Sequence, residues 1–239
     1  MADNHPRTLY GRRRGKPLRI GRRDVLERLL PRLAIDPADY QASALDPRTL
    51  FEKNIEAVWL EIGFGAGEHL SAMAQAHPEI GFIGCEPFIN GVARLLRDVD
   101  QHSLTNVRIV MDDARLLLDG LAAGSIGRAF LLFPDPWPKR RHNKRRFVGP
   151  ENIAAMAKVL SDGAQWRIAT DHMDYCRWIL AHMCPAPKFQ WLARRPGDWR
   201  NRPEGWPGTR YEEKGAQAGR PPAFLSFERQ ARKQPIKQP

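Results

Sequence analysis

Long apolar runs are missing from this chain of 239 residues. No stretch approaches the roughly 20 residues of a membrane helix, and the N-terminus has no apolar signal core. Cysteine is also scarce. Cys85, Cys176 and Cys184 are odd in number and lack metal-ligand spacing. That predicts reduced thiols, no metal and a cytoplasmic protein with no membrane contact. His102, His172 and His182 are scattered and give no ligand set. No internal repeat is visible. No obligatory protein partner is expected, and the protein is taken to be a monomer or a homodimer.

Charge is plentiful and unevenly spread. The chain carries a net charge of +11. The segment from Phe51 to Asp135 nevertheless holds 6 basic and 12 acidic residues, leaving 32 basic and 15 acidic residues elsewhere. Arg7 to Arg23 contains eight basic residues and no acidic one, and six of the eight residues from Lys139 to Arg146 are basic. The C-terminal tail, 230–239, is a third basic run. Cations that flank an acidic centre are the electrostatic footprint of binding to phosphate backbones. For any one run alone, a solvated surface is the plainer alternative.

The pattern along the chain is that of an α/β fold. Residues 1–50 are Arg- and Pro-rich and weakly periodic, and read as a basic, partly flexible arm. Residues 51–239 read as one domain. Apolar runs at Ala57–Ile62, Ile80–Cys85, Val107–Met111, Ile126–Phe133 and Gln165–Ala169 predict strands. They alternate with helical stretches over Glu68–His77, Val92–Val99, Ala114–Leu121, Glu151–Leu160 and Met173–Met183. Pro150 suits a helix start, where its missing N–H costs nothing. Two late strands, Phe189–Leu192 and Ala223–Phe227, make seven. The alternation predicts a Rossmann-like, doubly wound, mainly parallel sheet with helices on both faces. Residues 193–222 read as a long polar substrate loop, of a length that usually marks function or disorder.

The first strand runs into Glu61-Ile62-Gly63-Phe64-Gly65-Ala66-Gly67. Three glycines there permit a tight turn and close approach of a ligand to the backbone. A dinucleotide fingerprint needs G-x-G-x-x-G, but Glu68 or Leu70 stands where its third glycine belongs. Glu68 also sets a negative charge where a pyrophosphate would bind, so a ligand without phosphates fits better. Glu86 ends the second strand, where an acid can take ribose hydroxyls. Asp113 follows the third, placed for an adenine amino group. Alone, each acid is more often a surface residue or a helix cap. Together, E-x-G-x-G-x-G, Glu86 and Asp113 resemble the S-adenosylmethionine-dependent methyltransferases with a Rossmann-like sheet.

The fourth strand leads into Phe-Pro-Asp-Pro-Trp-Pro-Lys-Arg-Arg-His-Asn-Lys-Arg-Arg, residues 133–146. This segment resembles the hallmark of the tRNA (guanine-N7-)-methyltransferases of the single-chain bacterial type. The resemblance runs from about Trp59 to Arg229, taking in Arg167-Ile168-Ala169-Thr170-Asp171 and Thr209-Arg210-Tyr211-Glu212. It implies S-adenosylmethionine as cofactor, tRNA as partner, and methylation at N7 of the variable-loop guanine, conventionally nucleotide 46. Carried over by residue, it implies cofactor contacts from Glu61, Glu86, Asp113 and Asp135, beside Gly63, Gly65 and Gly67, with Asp135 also catalytic. Lys139, Asp171, Thr209, Arg210, Tyr211 and Glu212 fall at its substrate-contacting positions. Arg140, Arg141, Lys144, Arg145 and Arg146 are expected on phosphates. The family often has Thr-Lys-Phe-Glu where this chain has Thr-Arg-Tyr-Glu, and Arg and Lys are not equivalent at a bidentate contact.

The implied chemistry suits these residue types. Guanine N7 carries an in-plane lone pair and needs no deprotonation, and a sulfonium donor is already activated. The task is in-line positioning with control of charge. Asp135 is expected to accept hydrogen bonds from the guanine N1–H and amino group. Trp137 reads equally as a stacking or a packing residue. Three other readings stay open: an RNA methyltransferase with another target, an RNA-binding module with a degenerate cofactor fold, and a small-molecule methyltransferase, which the basic flanks disfavour.

Overall fold

The apolar run at the start of the domain becomes β1 (Ala57–Ile62), a strand buried almost throughout, as a central parallel strand must be. Around it lie β2 (Ile80–Cys85), β3 (Val107–Val110), β4 (Ile126–Leu132), β5 (Leu160–Thr170), β6 (Phe189–Trp191) and β7 (Ala223–Arg229). The computed structural model describes residues 9–41 and 44–232. The start of the expected arm and most of the expected basic tail, 233–239, lie outside the described residues. Seven strands form one sheet in the order β3-β2-β1-β4-β5-β7-β6. Only β7 runs antiparallel to its neighbours. The helices are α1 (Ile20–Leu33), α2 (Pro37–Gln41), α3 (Glu68–Ala76), α4 (Ile89–Gln101), α5 (Ala114–Gly120), α6 (Pro150–Val159), α7 (Met173–Met183), α8 (Gly197–Arg200) and α9 (Arg210–Gln217).

The period of two along β1 divides the core. Val58, Leu60 and Ile62 enter one hydrophobic cluster, while Trp59 enters the other. Glu61 has the parity of Trp59, so its side chain leaves the sheet on the face opposite Ile62. The chain passes from β1 outward to β2 and β3, then returns to β4 on the other side of β1. The sheet therefore switches direction between β1 and β4, and ligands of open α/β sheets bind outside the carboxyl ends at such a point.

Several boundaries differ from the sequence expectation. β5 begins at Leu160 because α6 runs into it without a loop. β4 stops at Leu132, since Phe133 takes a φ of 50°. The stretch 193–222 contains two short helices, α8 and α9, and buries Trp206 against Phe224. Within the segment read as an arm, α1 buries Val25 and Leu29. It packs on α4 and leads to a parallel bridge between Ala34 and Ile109. Pro31 inside α1 masks it in the sequence, because proline opposes an interior helical turn. Among the described residues, no helix is long and apolar enough to cross a membrane.

Candidate active site

The glycine turn sits at the switch point. Gly63, Gly65 and Gly67 all have positive φ, 70°, 59° and 79°, a backbone that L side chains rarely adopt. The Gly63 N–H donates to the Cys85 carbonyl at 2.8 Å, tying the turn to β2. The Gly65 N–H donates to Glu86 Oε2 at 2.8 Å, and the Phe88 N–H donates to Glu86 Oε1 at 2.9 Å. Glu86 thus shapes the turn as well as facing the cavity. Burial pushes its carboxyl up, opposed by those two N–H groups and reinforced by the nearby Asp135 charge. A residue that sequence reasoning missed completes this packing. A Cβ at Gly91, in the first turn of α4, would overlap the Gly65 carbonyl oxygen. Asn90-Gly91 at a helix start was the only local signal for it.

Beside the turn lies a cavity of about 880 Å³, within the usual range for a small-molecule site. Ile62, Gly63, Gly65, Glu86, Asp113 and Asp135 line it, with Tyr10, Trp137 and Tyr211 among the aromatic walls. At the strand ends its lining is acidic, which suits a sulfonium ligand there, while Arg12, Arg115, Lys144, Arg145 and Arg146 line the rest of the wall. At the N-terminus of α3, where a phosphate would sit, Glu68 lies 3.6 Å from the Arg210 guanidinium and accepts the Arg210 N–H at 3.0 Å. Two expected cofactor acids are otherwise engaged. Asp113 caps α5 by accepting the Arg115 N–H at 3.0 Å, and its carboxylate is paired with the Arg115 guanidinium. Glu61 does not line this cavity. It is 4% exposed and hydrogen-bonded to His69 Nδ1 at 2.7 Å, as its strand parity requires. It borders a small neighbouring void with Gly63 and Tyr211.

Asp135 differs from these acids. It is exposed on the cavity wall, and it has no hydrogen bond or ion pair among the described residues. The loop that presents it is strained at both ends. Phe133 has φ 50° and Trp137 φ 43°, left-handed values for bulky residues that cost of order 1–3 kcal/mol each. Tertiary contacts hold this geometry. The Phe133 N–H donates to the Ala169 carbonyl at 2.8 Å. Arg146 Nε donates to the Pro136 carbonyl at 2.9 Å, while its Nη2 bonds Asp174. The same guanidinium lies over the rings of Tyr175 and Trp178, 5.1 Å from each centroid. With its side chain 1% exposed, Arg146 braces the Asp135 loop, where the sequence had placed it among the expected phosphate contacts.

The brace implies a pH dependence. Its hydrogen bond from Arg146 holds the Asp174 carboxyl below the usual carboxylate value. A group lowered in the folded state contributes stability above its unfolded pKa, near 4, and loses it as pH falls through the folded value. The melting-temperature advantage of wild type over Asp174→Asn should therefore shrink on acidification from pH 7 to pH 3. A difference constant over that range would contradict the pairing.

The rest of the basic segment forms a 3-10 turn, Arg140–Arg145, in which Arg140, Arg141 and Lys144 are exposed, as is Lys139 just before it. Arg145 is half-buried, its guanidinium 4.6 Å from the Tyr10 ring and 4.9 Å from the Trp137 ring. Trp137 also meets His142 edge-on at 6.0 Å while lining the cavity. His142 is held below its ordinary value by partial desolvation and by Arg145, Arg141 and Lys139. The Thr-Arg-Tyr-Glu stretch opens α9. Buried Thr209 caps it by accepting the Glu212 N–H at 3.2 Å, and Glu212 lies 3.5 Å from Arg202. That cap turns Tyr211 over the glycine turn, where a Cβ on Gly65 would meet its ring at 3.2 Å. Asp171 accepts from Arg220 Nε at 2.9 Å, outside the cavity lining.

A family model described as "Putative methyltransferase" matches residues 56–225. A tRNA (guanine-N(7)-)-methyltransferase of Rhodospirillum rubrum is 49% identical over 93% of this chain and 88% of its own length. One from Chelativorans sp. is 46% identical, covering 96% of this chain and all of the relative. In fold, the chain is similar to a solved rRNA methylase of Streptococcus thermophilus, with a TM-score of 0.51 and 13% identity over 74% of this chain and 89% of that one.

Proposed function

The chain belongs to the tRNA (guanine-N(7)-)-methyltransferases, and from that premise we propose that it methylates N7 of a guanine in tRNA, at variable-loop position 46, using S-adenosylmethionine. The observation that carries the mechanism is Asp135, a carboxylate on a strained loop with no partner among the described residues, between the glycine turn and a row of exposed cations. S-adenosylmethionine, when bound, supplies a methyl group on a sulfonium, and Gly63, Gly65, Glu86 and Asp113 are the residues to hold it.

This chain's own task is orientation. N7 bears no proton, so no base is needed to free its lone pair. Asp135 accepts hydrogen bonds from the guanine N1–H and exocyclic amino group, which turns N7 toward the methyl carbon. A purine methylated at N7 would carry positive charge, and the Asp135 anion would stabilise it. Such a preorganised charge costs no reorganisation at the moment of reaction. Lys139, Arg140, Arg141 and Lys144 hold the backbone around the target. A target stacked in folded tRNA must be turned out of its stack to reach this cavity.

Incubation with unmodified tRNA transcript, followed by mass-spectrometric mapping, should yield N7-methylguanine in the variable loop and at no other guanine. Methylation of an exocyclic amine, or of another guanine, would favour a related RNA methyltransferase instead.

A further inference from the structure

A second cavity, of about 430 Å³, opens next to the first. The two share Arg12, Gly65, Phe88 and Tyr211, so they meet across the glycine turn. Their linings differ in kind. Arg12, Lys16, Arg19, Arg22 and Arg94 converge on the second cavity, and no acidic side chain lines it. None of the five is ion-paired among the described residues, although Arg13, Arg28 and Arg97 nearby each have an acidic partner. α1 also begins here with no acid in its first turn.

Concentrating like charge this way is unfavourable in the free protein, so the chain must hold it in place. The 12–19 strap is pinned at three points. The Ile89 N–H donates to the Arg13 carbonyl at 3.1 Å. The Gly15 N–H donates to Asn90 Oδ1 at 2.9 Å, and Asn90 Nδ2 donates to the Lys16 carbonyl at 2.8 Å. A Cβ at Gly15 would meet the Asn90 and Phe88 side chains at 2.8 Å, so the clamp is closed tightly on this residue. Arg22 feels the cost directly, its guanidinium held below the ordinary value by partial desolvation and by Arg94, Arg97 and Arg19. Both helices that carry these side chains are packed together, α1 on α4.

We propose that this cavity is a second phosphate site for the tRNA backbone, on the opposite side of the cofactor turn from Lys139–Lys144. The inference rests on tRNA being the substrate. A backbone held at both sites would straddle the glycine turn, with the target base over Asp135 between them. α4 thereby has two roles, since Gly91 supports the cofactor turn while Arg94 reaches RNA one helical turn later.

The test is binding of unmodified tRNA transcript across a salt series. Each phosphate neutralised adds about 0.9 to the slope of log affinity against log salt. Arg22→Gln with Arg94→Gln should weaken binding at least about tenfold at low salt and lower the slope by about 1–2. Arg22→Lys with Arg94→Lys should retain most of the slope. Lys16→Gln with Arg19→Gln, both on exposed side chains, repeats the test without touching α4. Cofactor affinity by calorimetry should match wild type in every variant. Unchanged tRNA affinity and slope in both Gln variants would overturn the site, as would a Lys variant that loses as much slope as its Gln counterpart. Wild type that binds tRNA with no salt dependence would overturn the substrate reading itself.

Discussion

Asp135→Ala should reduce single-turnover methyl transfer to saturating tRNA by about a hundred- to a thousand-fold, the range for losing one preorganised electrostatic group, about 2.7–4 kcal/mol. Cofactor affinity should fall far less. The asymmetry follows from where the groups sit. The glycine turn and Glu86 are held by backbone hydrogen bonds that do not involve residue 135, so the cofactor side survives the substitution. The base side loses the carboxylate that the strained loop presents. Asp135→Asn sharpens the claim, because it keeps the shape but presents an amide N–H to a guanine edge that itself donates. It should be impaired nearly as much as Ala. Near wild-type turnover of either variant would mean that Asp135 only shapes its loop.

Gly91→Ala should cripple cofactor binding from a position outside the lining of the cofactor cavity. Helix propensity alone predicts a gain of about 0.8–1 kcal/mol, since alanine is preferred to glycine in a helix interior. Sterics predict the reverse. The added Cβ would overlap the Gly65 carbonyl, a backbone atom that cannot rotate away. Either α4 moves off the sheet or the turn shifts, and overpacking of this kind typically costs about 1–3 kcal/mol. The expected result is a lower melting temperature, with cofactor affinity by calorimetry reduced about tenfold or more. At 1.4 kcal/mol per tenfold, that is the same order as the packing cost. A stabilised variant with unchanged affinity would show that the turn does not depend on α4.

The sheet was legible in the sequence because parallel strands are buried on both faces and read as unbroken apolar runs. β1, β2 and α7 fall where Ala57–Ile62, Ile80–Cys85 and Met173–Met183 predict them. The strand-end acids were legible for the same reason, since strand ends fix where residues such as Glu86 emerge. Their individual contacts were not. That Glu61 turns to His69, and that Asp113 caps its own helix, depends on side-chain direction and on partners eight and two residues away. The burial of Arg146 is not legible, because a charge run looks uniform in sequence. Only the fold shows that one member of the run is buried beneath the loop while Lys139, Arg140, Arg141 and Lys144 face out. α1 was hidden by Pro31 and by the density of arginine around it. Gly91 was hidden because a close approach between two backbones leaves no mark beyond one small residue.

Single-turnover transfer of labelled methyl to two tRNA transcripts, identical except for guanine or 7-deazaguanine at position 46, tests the central claim most directly. The two bases present the same N1–H and amino group to Asp135 and differ at the atom to be methylated. The account predicts equal tRNA affinity for both, full transfer to the guanine tRNA, and none to the 7-deazaguanine tRNA. Comparable methylation of both would place the reaction at another atom or another nucleotide, and would contradict it.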